Sequence, residues 1–339
     1  MEKNITYLFG AGASCETLPI LKNMPATMEN QVDFLNNKAG YLLSIINDEK
    51  DKYILEGEIE YIEDLKWLMN KSKQHASVDT LARKLFLNGK NSELNNLKNC
   101  LSVFLLIEQL RNHIDLRYDT FFASVLESKF QMPKNLKVVS WNYDLLFEMA
   151  YQSFVNEPSL ANAQTTLGVF MKFNDNWRAN KDFGIFKLNG SSIAYHSDRS
   201  QRQIVYSNIN DRKLTIELLE DIFKSYNIIK SNFSKYISGL SFAWEQDNIN
   251  SEGKDIISMT KENTSETEIL VIVGYSIPFF NRRIDREIIK NMTKLKKVYF
   301  QAPDADALIE RFNSIRDDLD GNVLVPILNC DQFYIPNEM

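Results

Sequence analysis

Small, polar and turn-forming residues follow several apolar segments of this 339-residue chain. Such residues bind ligands through backbone N–H groups, carboxamides and hydroxyls, and glycines let the backbone approach a ligand closely. Ligands of open parallel sheets bind at the carboxyl ends of the strands. If the apolar segments are parallel strands, the clusters that follow them form a ligand site at one edge of the sheet: Gly10–Ser14, Asn142–Asp144, Asn189–Ser191, Gly274–Ser276 and Gln301–Asp304.

The segment Gly10-Ala11-Gly12-Ala13-Ser14 comes directly after apolar Ile5–Phe9. Gly10 and Gly12 would let the backbone turn tightly and approach a pyrophosphate, which the N–H groups of the next helical turn could then face. Such binding needs no basic side chain. A tight turn without a ligand is the alternative, because two glycines after a strand are not specific to nucleotide sites.

Asn142 and Asn189 are the carboxamides of these clusters. Asn142 could hold a ribose hydroxyl or a water molecule, and an Asx-turn or helix N-cap explains it equally well. Asp144 has the same alternatives, with capping favoured. Asn189 precedes Gly190, and this pair is typical of turns. The segment Gly274-Tyr275-Ser276 could expose backbone to an adenine or a ribose, although its serine could instead cap the helix that follows.

The elements that would position these residues alternate between strand and helix patterns, which indicates an α/β fold with a Rossmann-like, doubly wound and mostly parallel sheet. The segment Lys213–Trp244 is predicted to be helical. β-branched and aromatic residues predict the main strands: Ile5–Phe9, Leu136–Trp141, Gly184–Leu188, Ile269–Val273 and Lys297–Gln301.

A large helical insertion is predicted between the first two of these strands. Glycine and proline are scarce from about residue 30 to 130, and apolar residues recur there at three- and four-residue spacing. The block is too long for a loop. We therefore predict a helical insertion subdomain at 30–130 within a nucleotide-binding domain formed by 1–29 and 131–339. Ser77 is a candidate helix N-cap. Asp79 and Asp119 could reach a cleft, although capping explains them better.

The composition excludes several classes of protein. Lys and Arg total 39 against 45 Asp and Glu, a net charge of −6, so the chain has no global electrostatic reason to bind nucleic acid or anionic lipid. Cys15, Cys100 and Cys330 are far apart, which excludes a disulfide scaffold and a cysteine zinc site. No metal is expected. No apolar run approaches the roughly 20 residues of a membrane span, and we expect a cytoplasmic protein.

Together, the motifs resemble those of the sirtuin-like family of NAD-binding proteins. Gly10–Ser14 resembles the family's Gly-Ala-Gly-x-Ser loop, and Pro19 stands near its Ile/Leu-Pro position. Trp141-Asn142-Tyr143-Asp144 resembles the bacterial Thr-x-Asn-Tyr-Asp motif, and Lys187–Ser191 resembles Lys-Leu-His-Gly-Ser. The resemblance covers residues 1–25 and about 136–305. Two further parts carry it: Gly274-Tyr275-Ser276 with Pro278 and Asp285 resembles Gly-Tyr-Ser-x-Pro-x-x-Asp, and Asp304 lies near a later nucleotide-contacting strand end.

Two departures from the family pattern change what the resemblance implies. The four-cysteine zinc module of sirtuin deacylases cannot be built from this chain, so protein deacylation is not expected. The family's catalytic histidine falls at Asn189. A carboxamide cannot accept a proton near neutral pH as an imidazole can. His196 could substitute if its loop folded back, and Asp144 is the other candidate proton acceptor.

The resemblance implies an NAD(+) glycohydrolase that releases nicotinamide and ADP-ribose, of the type that depletes NAD in antiphage defence. Asn142 would orient water or the ribose, and Asn189 would contact the nicotinamide ribose. The pyrophosphate would bind Gly10, Ala11, Gly12 and Ser14, and the adenosine half would bind near Gly274–Ser276 and Asp304. A partner protein or phage trigger would act through the helical block, and a homo-oligomer is expected.

Two alternatives stay open. One is a catalytically inactive sirtuin-like module that binds NAD, ADP-ribose or a related nucleotide as a sensor or partner subunit, and Asn189 is its main support. The other is ADP-ribosyl transfer.

Overall fold

A computed structural model describes residues 3–38, 41, 54–171, 183–196, 204–205, 209, 213–242, 244–245 and 255–339. These residues form ten strands in two sheets. The strands are β1 (Ile5–Phe9), β2 (Leu136–Ser140), β3 (Val169–Phe170), β4 (Gly184–Lys187), β5 (Gly190–His196), β6 (Ile204–Val205), β7 (Tyr236–Leu240), β8 (Ile269–Val273), β9 (Lys297–Gln301) and β10 (Leu324–Ile327).

The described residues also form eleven α-helices. The helices are α1 (Met24–Asn36), α2 (Glu58–Ser72), α3 (Val78–Leu87), α4 (Asn91–Arg111), α5 (Leu116–Val125), α6 (Leu146–Val155), α7 (Leu160–Thr166), α8 (Ile216–Ser231), α9 (Ile256–Thr264), α10 (Arg282–Asn291) and α11 (Ala305–Asn313). No helix among them is long and apolar enough to cross a bilayer.

The main sheet has seven strands in the order β10-β9-β8-β1-β2-β4-β3, and every neighbouring pair is parallel. Both faces are covered, because Tyr7 and Phe9 belong to one buried cluster and Leu8 belongs to the other. The predicted α/β class with a parallel, doubly wound sheet is therefore confirmed. The chain runs outward from β1 through β2 and later returns to β8 on the opposite side. The strand order reverses between β1 and β8, where such folds leave a crevice for ligands.

A second, antiparallel sheet has the order β6-β5-β7. Its strand β7 corrects the prediction that Lys213–Trp244 is helical throughout. Helix α8 fills the first part of that segment, and Tyr236–Leu240 is a strand. Gly190 at the start of β5 allows this pairing, because a Cβ there would lie 1.9 Å from the Gly239 carbonyl of β7. Non-local pairing thus overrides the local helical pattern.

Helices α1–α5 lie between β1 and β2 in the chain, so the large helical insertion is present. Helix α4 packs on β5, β7 and α8, and α5 packs on α6 beside the main sheet. Buried residues of the insertion and of the sheet belong to the same cluster. The division into a domain of 1–29 and 131–339 and a subdomain of 30–130 stays a prediction.

Candidate functional site

A cavity of about 290 Å³ opens at the carboxyl ends of the strands on both sides of the β1/β8 crevice. Its volume is close to the lower end of the range for small-molecule sites, about 300 Å³. The loops after β1, β2, β4 and β8 contribute to its wall, together with the start of α3 from the helical insertion. The predicted site residues that line it are Gly10, Ala11, Ser14, Pro19, Asn142, Asp144, Asn189, Gly274, Tyr275 and Ser276.

The glycines of two of these loops pack against each other. The Gly12 N–H donates to the Gly274 carbonyl at 2.9 Å, and a Cβ on Gly12 would lie 2.7 Å from the Gly274 Cα. Gly274 has a φ of +56°, a conformation that favours glycine. A Cβ there would overlap the Gly12 backbone. Loop packing alone therefore requires both glycines, and Gly12 does not line the cavity although Gly10 and Ala11 do.

Asn142, Ser14 and Asp144 form one buried hydrogen-bond chain. The Asn142 Nδ2 donates to the Gly10 carbonyl at 2.9 Å and to Ser14 Oγ at 3.1 Å. Ser14 Oγ in turn donates to Asp144 Oδ2 at 2.7 Å. The other Asp144 oxygen accepts from the Leu146 N–H, a bond of the Asx-turn type just before α6. Each oxygen of Asp144 therefore accepts a hydrogen bond, and this series of hydrogen bonds fixes the orientation of the Asn142 carboxamide.

A buried ion pair lies directly behind this chain. Lys187 Nζ contacts Glu148 Oε1 at 2.8 Å and donates to the Asp144 carbonyl. Burial raises the pKa of Asp144, and the Lys187 charge and the Ser14 hydroxyl offset only part of that effect. Breaking such a pair by removing one partner costs about 3–5 kcal/mol. Lys187 therefore supports the floor of the site and is too deeply buried to contact a ligand.

Asn189 has one satisfied and one unsatisfied polar atom. Its Nδ2 donates to the Trp141 carbonyl at 3.0 Å, which assigns Oδ1 to the opposite side of the amide. Asn189 Oδ1 is buried and has no hydrogen-bond partner among the described residues. The residue is 6% exposed and lines the cavity. A buried acceptor without a partner costs about 1–3 kcal/mol. A rotation of the side chain toward the cavity would let a ligand hydroxyl or N–H group remove that cost.

Two stacked aromatic rings form another part of the wall. Trp141 and Tyr275 are nearly parallel, with centroids 6.0 Å apart. Asp285 accepts from Trp141 Nε1 at 3.0 Å and from the Tyr275 hydroxyl at 2.7 Å. Burial raises the pKa of Asp285 to about 7. Asp285 does not line the cavity; it fixes the two rings that do.

The remaining predicted residues are not part of the cavity lining. Gly190 begins β5 with a φ of +69°. His196 ends β5 opposite Tyr236, roughly 20 Å along the strand from Gly190 at about 3.3 Å per residue. Its side chain lies outside the described part of the chain. Asp304 is exposed and lies 3.9 Å from Arg311.

Several cavity residues were not among the predicted site residues. The first turn of α3 brings Asp79 and Thr80 to the cavity, although capping was the favoured explanation of Asp79. The Tyr143 hydroxyl donates to Asp79 Oδ1 at 2.7 Å. Phe279 and Phe280, after β8, are exposed at the cavity and are 79% and 43% accessible. The available signals were the polar first turn at Ser77–Thr80 and the paired phenylalanines beside Pro278.

The scan of protein-family models found no matching family, and the search of curated proteins found no significant match. In the part of the chain that the structure describes, no group of three or more His, Cys, Asp or Glu side chains could hold a metal ion. The functional proposal therefore depends on the motifs and on the geometry of this cavity.

Proposed function

We propose that the cavity binds an NAD-type nucleotide and that the protein hydrolyses the bond between its nicotinamide and ribose. The observation that carries the proposal is the pair of carboxamides at one crevice. Asn189 Oδ1 is a buried acceptor without a partner, and the Asn142 carboxamide is held in place by Gly10 and Ser14. Ribose hydroxyls are donors that suit two such acceptors.

The rest of the wall suits the other parts of such a ligand. Gly10 and Ala11 present backbone without a bulky side chain, which favours close approach of a pyrophosphate. The exposed rings of Phe279 and Phe280 provide apolar surface for a nucleotide base, and the buried rings of Trp141 and Tyr275 border it. The resemblance of these segments to sirtuin-like motifs gives the same assignment. With a site of about 290 Å³, we expect the cavity to enclose one half of the dinucleotide and leave the other half at the rim.

Cleavage of this bond passes through a cation-like state at the ribose, with neutral nicotinamide as a good leaving group. Positioning and electrostatic stabilisation supply a large share of the rate in such reactions. Asn142 would orient the ribose or the attacking water, and Asn189 would hold a ribose hydroxyl. Antiphage defence, a homo-oligomer and a protein trigger at the helical insertion belong to the same proposal, because free NAD hydrolysis would harm the cell.

Binding without turnover is the second candidate. It is favoured by the carboxamide of Asn189, which cannot accept a proton, and by the hydrogen bonds that occupy both oxygens of Asp144. A protein of this kind would report NAD or ADP-ribose to a partner. Binding and turnover must therefore be measured on the same sample.

The test is a purified protein incubated with NAD, with and without extract of phage-infected cells, while nicotinamide release and NAD affinity are followed. We expect turnover in the wild type and its loss in Asn142→Ala. Asn313→Ala is the matched control, because Asn313 is an exposed carboxamide at the end of α11. Tight binding without turnover under any condition would assign the second function, and no binding at all would reject both.

A further inference from the structure

Asp79 places a carboxylate from the helical insertion at a cavity that is otherwise built mainly from the strand ends of the sheet. Helix α3 does not need this carboxylate as a cap, because Ser77 Oγ already accepts from the Thr80 N–H. Asp79 Oδ1 instead accepts from the Tyr143 hydroxyl at 2.7 Å. Tyr143 stands between Asn142 and Asp144 in the sequence, so this bond holds the carboxylate beside the segment that carries the site.

Asp79 and Asp144 are the two carboxylates among the described residues that line the cavity. Asp144 uses both oxygens in hydrogen bonds to Ser14 and Leu146. Asp79 Oδ1 accepts from Tyr143, and the Asp79 N–H also lies against the carboxylate. Within the described ranges, no side chain donates to Asp79 Oδ2. The two groups therefore differ, since a donor engages each oxygen of Asp144 and no side-chain donor engages Asp79 Oδ2, which leaves Asp79 the better placed to meet a ligand or a water molecule.

We propose that Asp79 is the proton acceptor for the attacking water, in place of the imidazole that Asn189 cannot supply. This inference rests on the proposed function. In the step, the bond between ribose C1′ and the nicotinamide nitrogen breaks, and its electron pair stays on nitrogen, so nicotinamide leaves neutral. The oxygen of one water molecule bonds to C1′, and one proton of that water passes to the Asp79 carboxylate. The products are nicotinamide, ADP-ribose and a proton that Asp79 returns to solvent.

The surroundings of Asp79 make its carboxylate a stronger base than that of an exposed aspartate. Burial raises its pKa above the ordinary carboxyl value, and the hydrogen bond from Tyr143 offsets part of this effect. The start of α3 adds the positive end of a helix dipole, which favours the carboxylate. Across the cavity, burial raises the pKa of Tyr275, and the charges of Asp285 and Asp79 raise it further. A carboxylate with a raised pKa is a better proton acceptor than an ordinary one.

The experiment compares Asp79→Asn with Asp119→Asn in the full chain. Both residues are acidic and lie in the first turn of an insertion helix, but Asp119 is exposed and does not line the cavity. We expect Asp79→Asn to lower nicotinamide release roughly 10²- to 10⁴-fold, with NAD affinity and melting temperature close to wild type. Asp119→Asn should keep full activity. The acidic limb of the pH–rate profile should disappear with Asp79.

Sodium azide separates a chemical role from a structural one. Azide attacks C1′ without a proton to lose, so it needs no base. We expect azide to restore nicotinamide release, as ADP-ribosyl azide, in Asp79→Asn and not in Asn142→Ala. A variant that fails equally with water and azide, or that loses NAD affinity in step with activity, would assign Asp79 a structural role.

The outcomes also separate this inference from the proposed function. Wild-type turnover with an equally active Asp79→Asn would overturn the role of Asp79 and leave the hydrolase proposal standing. NAD binding without turnover in the wild type would overturn the hydrolase proposal, and the role of Asp79 with it.

Discussion

Asp285 offers a test of the site's architecture that requires no knowledge of the substrate. The residue is 2% exposed, and its carboxyl accepts from Trp141 and Tyr275. Burial raises its pKa to about 7, against about 3.9 for an unfolded aspartate. Between these values the folded protein keeps a proton that the unfolded chain releases. The free energy of unfolding therefore falls as the pH rises through this window, by up to about 4 kcal/mol in total.

The perturbation is Asp285→Asn, measured by urea unfolding from pH 4.5 to pH 8 at constant ionic strength. The amide does not ionise, so residue 285 of the variant contributes no pH dependence to the unfolding free energy. From pH 4.5 to pH 8, we expect the unfolding free energy of the wild type to fall by about 3 kcal/mol relative to that of the variant. Asp304→Asn removes an exposed carboxylate and should change stability by less than about 0.5 kcal/mol throughout. If the difference in unfolding free energy between the wild type and Asp285→Asn does not change with pH, Asp285 is not a buried group that keeps its proton in the folded protein.

Three further predictions concern the cavity wall. Gly274→Ala should lower the free energy of unfolding by at least about 2 kcal/mol, because the residue has a φ of +56° and a Cβ would overlap Gly12. Ser14→Ala should cost about 1–3 kcal/mol in urea unfolding, since its hydroxyl both accepts and donates buried hydrogen bonds. Phe279→Ala should weaken NAD binding about five-fold by calorimetry, from about 1 kcal/mol of lost ring contact, with stability unchanged. Leu116→Ala, equally exposed at 79%, should leave affinity unchanged.

The sheet and most of the cavity wall could be predicted from local patterns. Ile5–Phe9 and Ile269–Val273 are continuous apolar runs, as expected of strands covered on both faces. Parallel strands bring their carboxyl ends to one edge, so the residues after each strand become neighbours without further information. Asn142, Asn189 and Gly274 were located in this way, and all three line the cavity.

The segment after β9 does not line the cavity. Gln301 Nε2 donates to the Asn329 and Gln332 carbonyls, and its Oε1 accepts from the Tyr334 N–H. These bonds tie the C-terminal segment to the end of β9. Asp304 stays exposed beside them. The order of the strands decides which ends meet at the crevice, and neither composition nor periodicity contains that order.

The contribution of the helical insertion could not be predicted for a related reason. Periodicity shows that Val78–Leu87 is an amphipathic helix, but the face and end that meet the sheet depend on how five helices pack. The glycines show a second limit: the residue type alone does not reveal which contact requires it. Gly12 has the residue type of a phosphate loop, while in the fold its contact with Gly274 accounts for it.

The insertion and the sheet are joined at the site by buried hydrogen bonds. Gln109, on α4, accepts from the Leu145 N–H at 2.6 Å and donates to Ser192 Oγ at 3.2 Å, so one buried side chain connects the insertion to the segments after β2 and β4. Those segments carry Asn142 and Asn189, whereas Asp79 belongs to the insertion. A shift of the helical block relative to the sheet would have to break these bonds and the bond between Tyr143 and Asp79. Because catalytic groups lose much of their effect when displaced by about 1 Å, the bonds hold Asp79 in register with the two carboxamides.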